Sequence, residues 1–430
     1  MRKKRSSMLK LFVSIALAVI LCFSLALPTF ADEPEEGGFD WAAGTPDSSA
    51  PAGLTKILKM PVGTITPSMT FKFVFTPESD NMPEIEPVTI TFSSTDDYDT
   101  NDGIKTVIKE SGDFLGGITW PHAGVYVYTV TETTGDFENT FAETMTFSPA
   151  EYDLYVYVKE GINSKNENVY YVYYVGALII TEDAGDGGEE GDKVDPTPGG
   201  DPAVTGDYSK MIFTNVYIKN NGGEGPEDPE DPEEIADITV LMVSKTVTGD
   251  FADVSKKFNF SVTVTIPELI TDWNKPCTAY IVHADGTISE NNEFISGEEI
   301  VITLKHGEWL AFTDLPVGSS YEVTEAAAEG YTPSYIITSE GGQQVINGSA
   351  PEGQELNTSL VYLSDYEEED EEGEESEKAN IVAFLNTFKH ITPTGISVDN
   401  LPYVVMIAMA ILALMGYVLV KSRAGVQANA

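Results

Sequence analysis

The chain has 430 residues, 69 of them acidic and 24 basic, so its formal net charge is −45 at pH 7. A surface this negative excludes nucleic acid and anionic lipid as main partners, because both would be repelled. The length allows two ordinary domains with additional terminal segments.

The N-terminal segment, residues 1–31, has the pattern of a secretory signal peptide. Basic residues precede an apolar stretch at 11–27, and a small-residue cleavage site follows it. Residues 32–50 are acidic and rich in Pro, Gly and Ser, which predicts a flexible lead-in. After cleavage, Cys277 is the only cysteine left, so no intramolecular disulfide can reinforce the exported protein.

Residues 51–219 predict a first all-β domain. Short segments rich in β-branched and aromatic residues alternate with turn-forming residues, and no convincing helical period lies between them. The predicted strands are 54–58, 70–75, 88–92, 124–132, 152–159, 170–180 and 210–217.

A Pro/Glu/Gly-rich segment at 220–236 predicts a linker, after which residues 237–390 repeat the pattern as a second domain. A Phe-x-Phe strand occurs in both domains, and so does a Tyr-x-Val-Thr-Glu strand. Here the predicted strands are 241–247, 258–262, 301–304, 310–313, 321–325 and 381–388. The pattern favours two tandem immunoglobulin-like β-sandwiches.

Side-chain alternation predicts one lysine, one glutamate and one asparagine on the inward faces of each domain. They are Lys56, Glu132 and Asn215 in the first domain, and Lys245, Glu325 and Asn386 in the second. Lys59 competes with Lys56, but it lies on the opposite face from Leu54 and Leu58. Any one of these residues alone is more often structural, as an edge-strand lysine, a solvated glutamate or a turn asparagine. Their repetition in the same order favours a chemical role.

Burial would make the lysine a neutral nucleophile and the glutamate a neutral proton donor. A lysine amine held against the asparagine carboxamide can attack its carbon while the glutamate hydrogen-bonds the carbonyl oxygen and transfers protons. Ammonia leaves and a Lys–Asn isopeptide bond remains. Phe213 and Phe384 are predicted to keep the two sites dry. Since each domain would react once, we do not expect an enzyme.

These segments resemble the pilin isopeptide-linkage domain family of streptococcal major pilins (FctA-like). The matching motifs are Leu54-Thr55-Lys56, 124–132 and Ile212-Phe213-Thr214-Asn215, then 243–249, 315–325 and 382–386. The resemblance implies two CnaB-type domains, each with a self-catalysed bond between its first and last strands. It assigns the crosslinks to Lys56 with Asn215 and to Lys245 with Asn386, and the catalytic acids to Glu132 and Glu325. It implies no cofactor.

The C-terminal end resembles a sortase sorting signal of a compact Pro-Thr-Gly form. The motif, 391–395, contains Thr392, Pro393, Thr394 and Gly395. An apolar segment at 401–420, long enough to span a bilayer, and a basic tail at 421–430 follow it. The resemblance implies cleavage between Thr394 and Gly395 and transfer to an amine. It departs from the commoner Leu-Pro-x-Thr-Gly form, which leaves the sortase class open. Hydropathy alone equally fits a plain membrane anchor.

Together these features predict an exported shaft subunit of a sortase-built pilus on a Gram-positive cell surface. The expected partners are a sortase, other pilin subunits and the cell wall, with Lys210, or alternatively Lys219, as the intersubunit lysine. A monomeric wall-anchored stalk or adhesin and an exported ligand-binding module are the alternatives. The four histidines lack metal-ligand spacing and the acidic loops lack the calcium-loop order, so no metal site is predicted.

Overall fold

A computed structural model of the chain describes residues 43–135, 137–183, 188–199, 207–220, 228, 230–271, 273–339, 344–365 and 380–389. The predicted signal peptide, most of the lead-in, the sorting motif and the predicted transmembrane segment lie outside these residues. Within the described ranges, no helix is both long and apolar enough to cross a membrane. The regular secondary structure of the described residues is almost entirely β-strand, which confirms the all-β prediction.

The first domain consists of two packed sheets. Its strands are β1 (Thr55–Pro61), β2 (Met69–Pro77), β3 (Val88–Phe92), β4 (Asp99–Asn101), β5 (Ile104–Glu110), β6 (Gly124–Thr133), β7 (Glu143–Thr146), β8 (Glu151–Ile162), β9 (Asn168–Thr181), β10 (Lys193–Val194) and β11 (Ile212–Lys219). One sheet has the order β4-β5-β1-β11-β7 and the other β10-β9-β8-β6-β2-β3. Alternate side chains of both sheets point inward and form one continuous apolar core.

The second domain also consists of two packed sheets with their own core. Its strands are β12 (Leu241–Thr248), β13 (Phe258–Thr265), β14 (Cys277–Val282), β15 (Ile288–Phe294), β16 (Glu299–Leu304), β17 (Trp309–Phe312), β18 (Ser320–Glu325), β19 (Tyr331–Ser339), β20 (Gln344–Ser349), β21 (Leu356–Asn357), β22 (Val361–Tyr362) and β23 (Asn380–Phe388). One sheet has the order β15-β14-β17-β12-β23-β19-β20. The other has the order β16-β13-β18-β21, and β22 also pairs with β18.

In each domain the first and last strands are parallel neighbours. Strand β1 pairs with β11 in the first domain, and β12 pairs with β23 in the second. The N-terminal and C-terminal strands of each domain thus lie side by side and run in the same direction. Tension along the chain would therefore shear these two strands past one another. A covalent bond between them would carry that force.

Two segments that the sequence assigned to flexible connections are ordered where they are described. The end of the lead-in lies along β9, where Gly44 N–H donates to Tyr173 O at 2.9 Å and Ala50 N–H donates to Val172 O at 2.8 Å. The end of the linker forms a short helix, α1 (Pro232–Asp237). Asp231 caps this helix and Ile235 is buried beneath it, and such capping favours helix formation.

A polar junction connects the two domains. Asp365, a buried residue of the second domain, accepts a hydrogen bond from Ile65 N–H at 3.2 Å and pairs with Lys219 Nζ at 2.8 Å. Val317 N–H donates to Lys219 O at 2.9 Å. Gly318 has a φ of +80°, and an added Cβ there would lie 2.2 Å from a side-chain carbon of the first domain. Glycine is therefore required where the two backbones approach each other.

Candidate functional site

In the first domain, strand register brings Lys56, Glu132 and Asn215 together. Lys56 lies opposite Phe213 in the parallel pair β1–β11, and Asn215 follows two residues later on the same face. Glu132 reaches the same point from β6 in the facing sheet, where it lies opposite Phe73 of β2. The lysine and asparagine are thus neighbours within one sheet, and the carboxylate approaches them across the core.

The Glu132 carboxylate bridges the other two side chains. Lys56 Nζ donates to Glu132 Oε2 at 2.8 Å, and Asn215 Nδ2 donates to Glu132 Oε1 at 2.9 Å. The Lys56 and Glu132 side chains are both 0% exposed. The carboxylate therefore contacts the carboxamide nitrogen, whereas the sequence-based mechanism expected it at the carbonyl oxygen. The reason is chemical: an amide nitrogen donates and a carboxylate accepts.

The second domain places its three residues in the same register. Lys245 lies opposite Phe384, Asn386 follows two residues later, and Glu325 lies opposite Phe260 on β13. Lys245 Nζ donates to Glu325 Oε1 at 2.7 Å, and Asn386 Nδ2 donates to the same oxygen at 2.6 Å. The structure thus brings both predicted triads together inside separate cores.

The two Phe-x-Phe strands line the two sites in the same way. The ring centroid of Phe71 lies 4.7 Å from the lysine nitrogen of the first site, and that of Phe258 lies 4.4 Å from its counterpart. The second phenylalanine of each motif packs on the phenylalanine of the last strand, with centroid separations of 5.0 Å for Phe73 and 5.1 Å for Phe260. These rings exclude water from the amine and from the carboxamide.

Burial in these apolar surroundings favours the neutral forms of the ionisable groups. It lowers the pKa of Lys56 to about 8, although the charge and hydrogen bond of Glu132 act in the opposite direction. The pKa of Lys245 is lowered to about 8 for the same reason, with Glu325 opposing. Burial also raises the pKa of Glu132 and of Glu325, against the effect of the paired lysines. Each amine can therefore lose its proton to the adjacent carboxylate near neutral pH.

The two sites differ at the asparagine carbonyl. In the first, Asn215 Oδ1 accepts a hydrogen bond from the backbone N–H of Ser148 at 2.7 Å. In the second, Asn386 Oδ1 and Glu325 Oε2 are buried and have no hydrogen-bond partner among the described residues. Ser148 was not predicted, because the donor is a backbone group and its side chain gives no signal in the sequence.

The remaining candidates lie away from both triads or outside the described residues. Lys210 precedes β11, where its ammonium lies 4.1 Å from the ring centroid of Tyr208 and its backbone N–H donates to Asp195 O at 2.7 Å. Lys59 lies three residues beyond the site lysine on β1 and is partly buried. The sorting motif 391–395 is outside the described residues. In the part of the chain that is described, no group of three or more His, Cys, Asp or Glu side chains could hold a metal ion.

The first domain matches a known family. A model described as "Spy0128-like isopeptide containing domain" covers residues 52–218, which include the whole first triad. The first domain belongs to this family. A domain of unknown function, DUF7601, matches residues 239–358. That second match includes Lys245 and Glu325 but ends before Asn386.

Curated relatives extend the similarity to streptococcal surface proteins. The "Pilus tip adhesin Cpa" of Streptococcus pyogenes is 33% identical over 167 residues, which are 37% of this chain and 18% of the adhesin. A "Pilin" of Streptococcus pyogenes serotype M1 is 30% identical over 183 residues, 42% of this chain and 47% of that pilin. The chain thus spans less than half the length of both relatives. A crystal structure of the major pilin from Streptococcus pyogenes aligns over 79% of this chain and 99% of its own, with 22% identity and a TM-score of 0.29.

Proposed function

We propose that this protein is a structural subunit of a surface pilus in which each domain forms one autocatalytic Lys–Asn isopeptide bond. The bonds join Lys56 to Asn215 and Lys245 to Asn386. The observation that carries the proposal is the repetition of one arrangement in two separate cores. In both, a buried lysine and asparagine on parallel terminal strands share the carboxylate of a glutamate from the facing sheet.

The glutamate acts as a proton relay between the nucleophile and the leaving group. The lysine passes a proton to the carboxylate, and the neutral amine attacks the asparagine Cγ, so that the carbonyl electron pair moves onto Oδ1. When the tetrahedral intermediate collapses, the bond from Cγ to Nδ2 breaks and the glutamate delivers the proton to the departing nitrogen. The amine gives up two protons in all: one ends on the departing ammonia, and the other stays on the glutamate, which is left as a neutral acid. An amine and a carboxamide thus become a secondary amide and ammonia.

Such bonds suit a protein that is pulled along its length. Tension applied to the two ends of a domain reaches its first and last strands, and these strands are parallel neighbours in both domains. A covalent link between them would let the force bypass the residues in between. Those residues would then remain folded under load. This mechanical reasoning supports a shaft subunit over a soluble binding module.

Assembly by a sortase is the part of the proposal that depends on the C-terminal sequence. The segment 391–395, with cleavage between Thr394 and Gly395, would give an acyl group for transfer to an amine of another subunit or of the cell wall. Lys210 is the proposed intersubunit lysine. Lys219 is less suited, because its ammonium already pairs with Asp365 at the domain junction.

A monomeric adhesin attached to the wall is the second candidate. It is favoured by the 33% identity to the pilus tip adhesin. The two candidates predict different wall extracts: a pilus shaft gives a ladder of covalent multimers that disappears when Thr394 and Gly395 are replaced, and a monomeric adhesin gives a single band.

The isopeptide bonds are tested by the intact mass of the denatured exported protein. We expect a deficit of two ammonia molecules, falling to one in Glu132→Ala and to one in Glu325→Ala. Glu322→Ala is the matched control, because Glu322 lies on the same strand as Glu325 with an exposed side chain. A full theoretical mass for the unsubstituted protein would disprove the isopeptide mechanism.

A further inference from the structure

The loop after β7 delivers a backbone donor to the first site. Strand β7 ends at Thr146, and the pairing between β7 and β11 stops at Val216. Ser148 therefore lies beyond the sheet ladder, and its N–H points into the domain at Asn215 Oδ1, 2.7 Å away. Pro149 follows directly and restricts the loop.

The second domain has a different element at this position. Its last strand, β23, is flanked by the nine-residue β19, whereas β11 in the first domain is flanked by the four-residue β7. In the register of β19 with β23, Pro333 lies directly opposite Asn386. Proline has no N–H to donate. Asn386 Oδ1 is buried without a hydrogen-bond partner in the described ranges.

This difference affects the step in which the carbonyl oxygen becomes negative. Attack by the lysine transfers an electron pair to the asparagine oxygen, and a donor already aimed at that oxygen stabilises the charge without reorganisation. A donor distance of 2.7 Å lies within the range found for such oxyanion contacts. The burial of Asn215 strengthens the interaction, because charges are screened less in a protein core than in water.

Asp183 holds the donor loop in place. Its Oδ1 accepts a hydrogen bond from Ser148 Oγ and another from Thr214 N–H at 2.8 Å, so it ties the loop to the last strand beside Asn215. The Asp183 side chain is buried, and its Oδ2 has no hydrogen-bond partner within the described part of the chain. Leaving a buried carboxylate oxygen unpaired costs stability, which favours a role for this residue beyond packing.

We propose that the Ser148 backbone N–H is an oxyanion donor for the reaction of Lys56 with Asn215, and that Asp183 is its positioning residue. This inference rests on the proposed function. In this arrangement the Ser148 N–H binds the Asn215 carbonyl oxygen, and the Glu132 carboxylate binds the nitrogens of Lys56 and Asn215. The second domain, which has the same register and the same acid, reacts without this donor.

The test follows both crosslinks in one full-length chain, so that the second domain is the internal control. The chain is made by cell-free translation, synthesis is stopped, and samples are quenched in acidic denaturant at successive times. Digestion and mass spectrometry then give the crosslinked fraction of each domain. We expect the first domain of the unsubstituted chain to react faster than the second.

Ser148→Pro and Ser148→Ala form a matched pair, since both remove the hydroxyl but only proline removes the N–H. We expect proline to slow the first crosslink by about a hundredfold to a thousandfold, the loss typical of one oxyanion donor. Alanine should slow it less than about tenfold, and neither should change the second crosslink. Equal rates for the proline and alanine variants in a folded domain would overturn the assignment.

If the Ser148→Pro variant does not fold, substitutions of Asp183 test the role of the donor loop instead. Asp183→Ala should slow the first crosslink, and Asp183→Asn, which keeps an oxygen acceptor for both donors, should restore most of the rate. If both Asp183 variants formed the first crosslink slowly, the charge of Asp183 would matter and its positioning role would be rejected. If both formed it at the unsubstituted rate, Asp183 would have no role in the reaction.

If neither domain of the unsubstituted chain loses ammonia, the proposed function itself fails. If both domains lose it and no variant changes the rate, only the present inference fails.

Discussion

The two triads share a backbone register but differ in their hydrogen bonds. In both domains the asparagine lies two residues beyond the partner of the lysine, and the glutamate lies opposite a phenylalanine of the facing sheet. In the first domain the carboxylate uses one oxygen for each neighbour, and the carbonyl oxygen has its own donor. In the second, one carboxylate oxygen accepts both hydrogen bonds.

The comparison separates two requirements of the chemistry. Register between parallel terminal strands determines which side chains meet, and this is common to both domains. Activation of the carbonyl depends on what flanks the last strand, which is a short strand and loop in one domain and a long strand in the other. The two domains should therefore give the same bond at different rates. The two bonds should stabilise their domains by similar free energies, because they close loops of similar length.

The largest expected effect is the loss of stability when one crosslink is prevented. The bonds enclose roughly 160 and 140 residues, and by analogy with disulfides each should stabilise its domain by about 5 kcal/mol. Glu132→Ala should therefore lower the melting temperature of the first domain by about 10–20 °C, and Glu325→Ala should do the same for the second. Calorimetry should resolve the substituted domain as a separate transition.

Asn215→Ala and Asn386→Ala provide an independent way to prevent each bond, because they leave the Lys–Glu pairs intact. Their melting temperatures should fall as far as those of the glutamate variants. If the asparagine variants melted like the unsubstituted protein, the stabilisation would come from the buried ion pairs and not from covalent bonds.

Much of this comparison could be predicted from the sequence, because strand alternation has a period of two and buried positions are apolar. Lys56 and Lys245 stood out as charges on apolar faces, and both lie in buried cores. The Phe-x-Phe repeat marked the strand that lines each site. The family match at residues 52–218 agrees with the resemblance read from the first-domain motifs.

Some strands could not be predicted, because their sequences only weakly favour β-structure. Strand β5 contains three charged residues in seven, and β19 contains Pro333, which normally argues against a strand. Pairing overrides these local preferences, because β5 lies between β4 and β1 and β19 lies between β23 and β20. The donor loop could not be predicted, because Ser148 acts through its backbone and Asp183 through a contact with a residue far away in the chain.

A second expectation concerns pH and follows from the proton relay. The reactive pair of neutral amine and neutral acid carries the same number of protons as the ion pair, so the rate should be flat across neutral pH. Since burial lowers the pKa of Lys56 and of Lys245 to about 8, raising the pH above about 8 removes the shared proton, and the rate should fall. Acidification adds a second proton, so that the amine is charged beside a neutral acid, and the rate should fall again.

The same cell-free time course, repeated from pH 4 to pH 10 in roughly one-unit steps, measures this profile for both crosslinks. The two domains should show plateaus of the same shape, because the lysine pKa values agree, and at different heights, because the contacts of the asparagine carbonyl and of the carboxylate differ. A rate that keeps rising through pH 10 in either domain would mean that a free amine suffices and that the glutamate relays no proton.

The smallest expected effect concerns the junction between the domains, and it tests whether the sites are independent. Lys219→Met removes the ammonium that pairs with the buried Asp365 carboxylate, which should destabilise the junction by about 1–3 kcal/mol. Both crosslinking rates should stay within about twofold of the unsubstituted protein, because each triad lies inside its own core. Lys165→Met, at an exposed turn, is the matched control for the loss of a charge. If Lys219→Met changed one rate tenfold, the junction would influence that site, and the difference between the triads could not be assigned to the Ser148 donor alone.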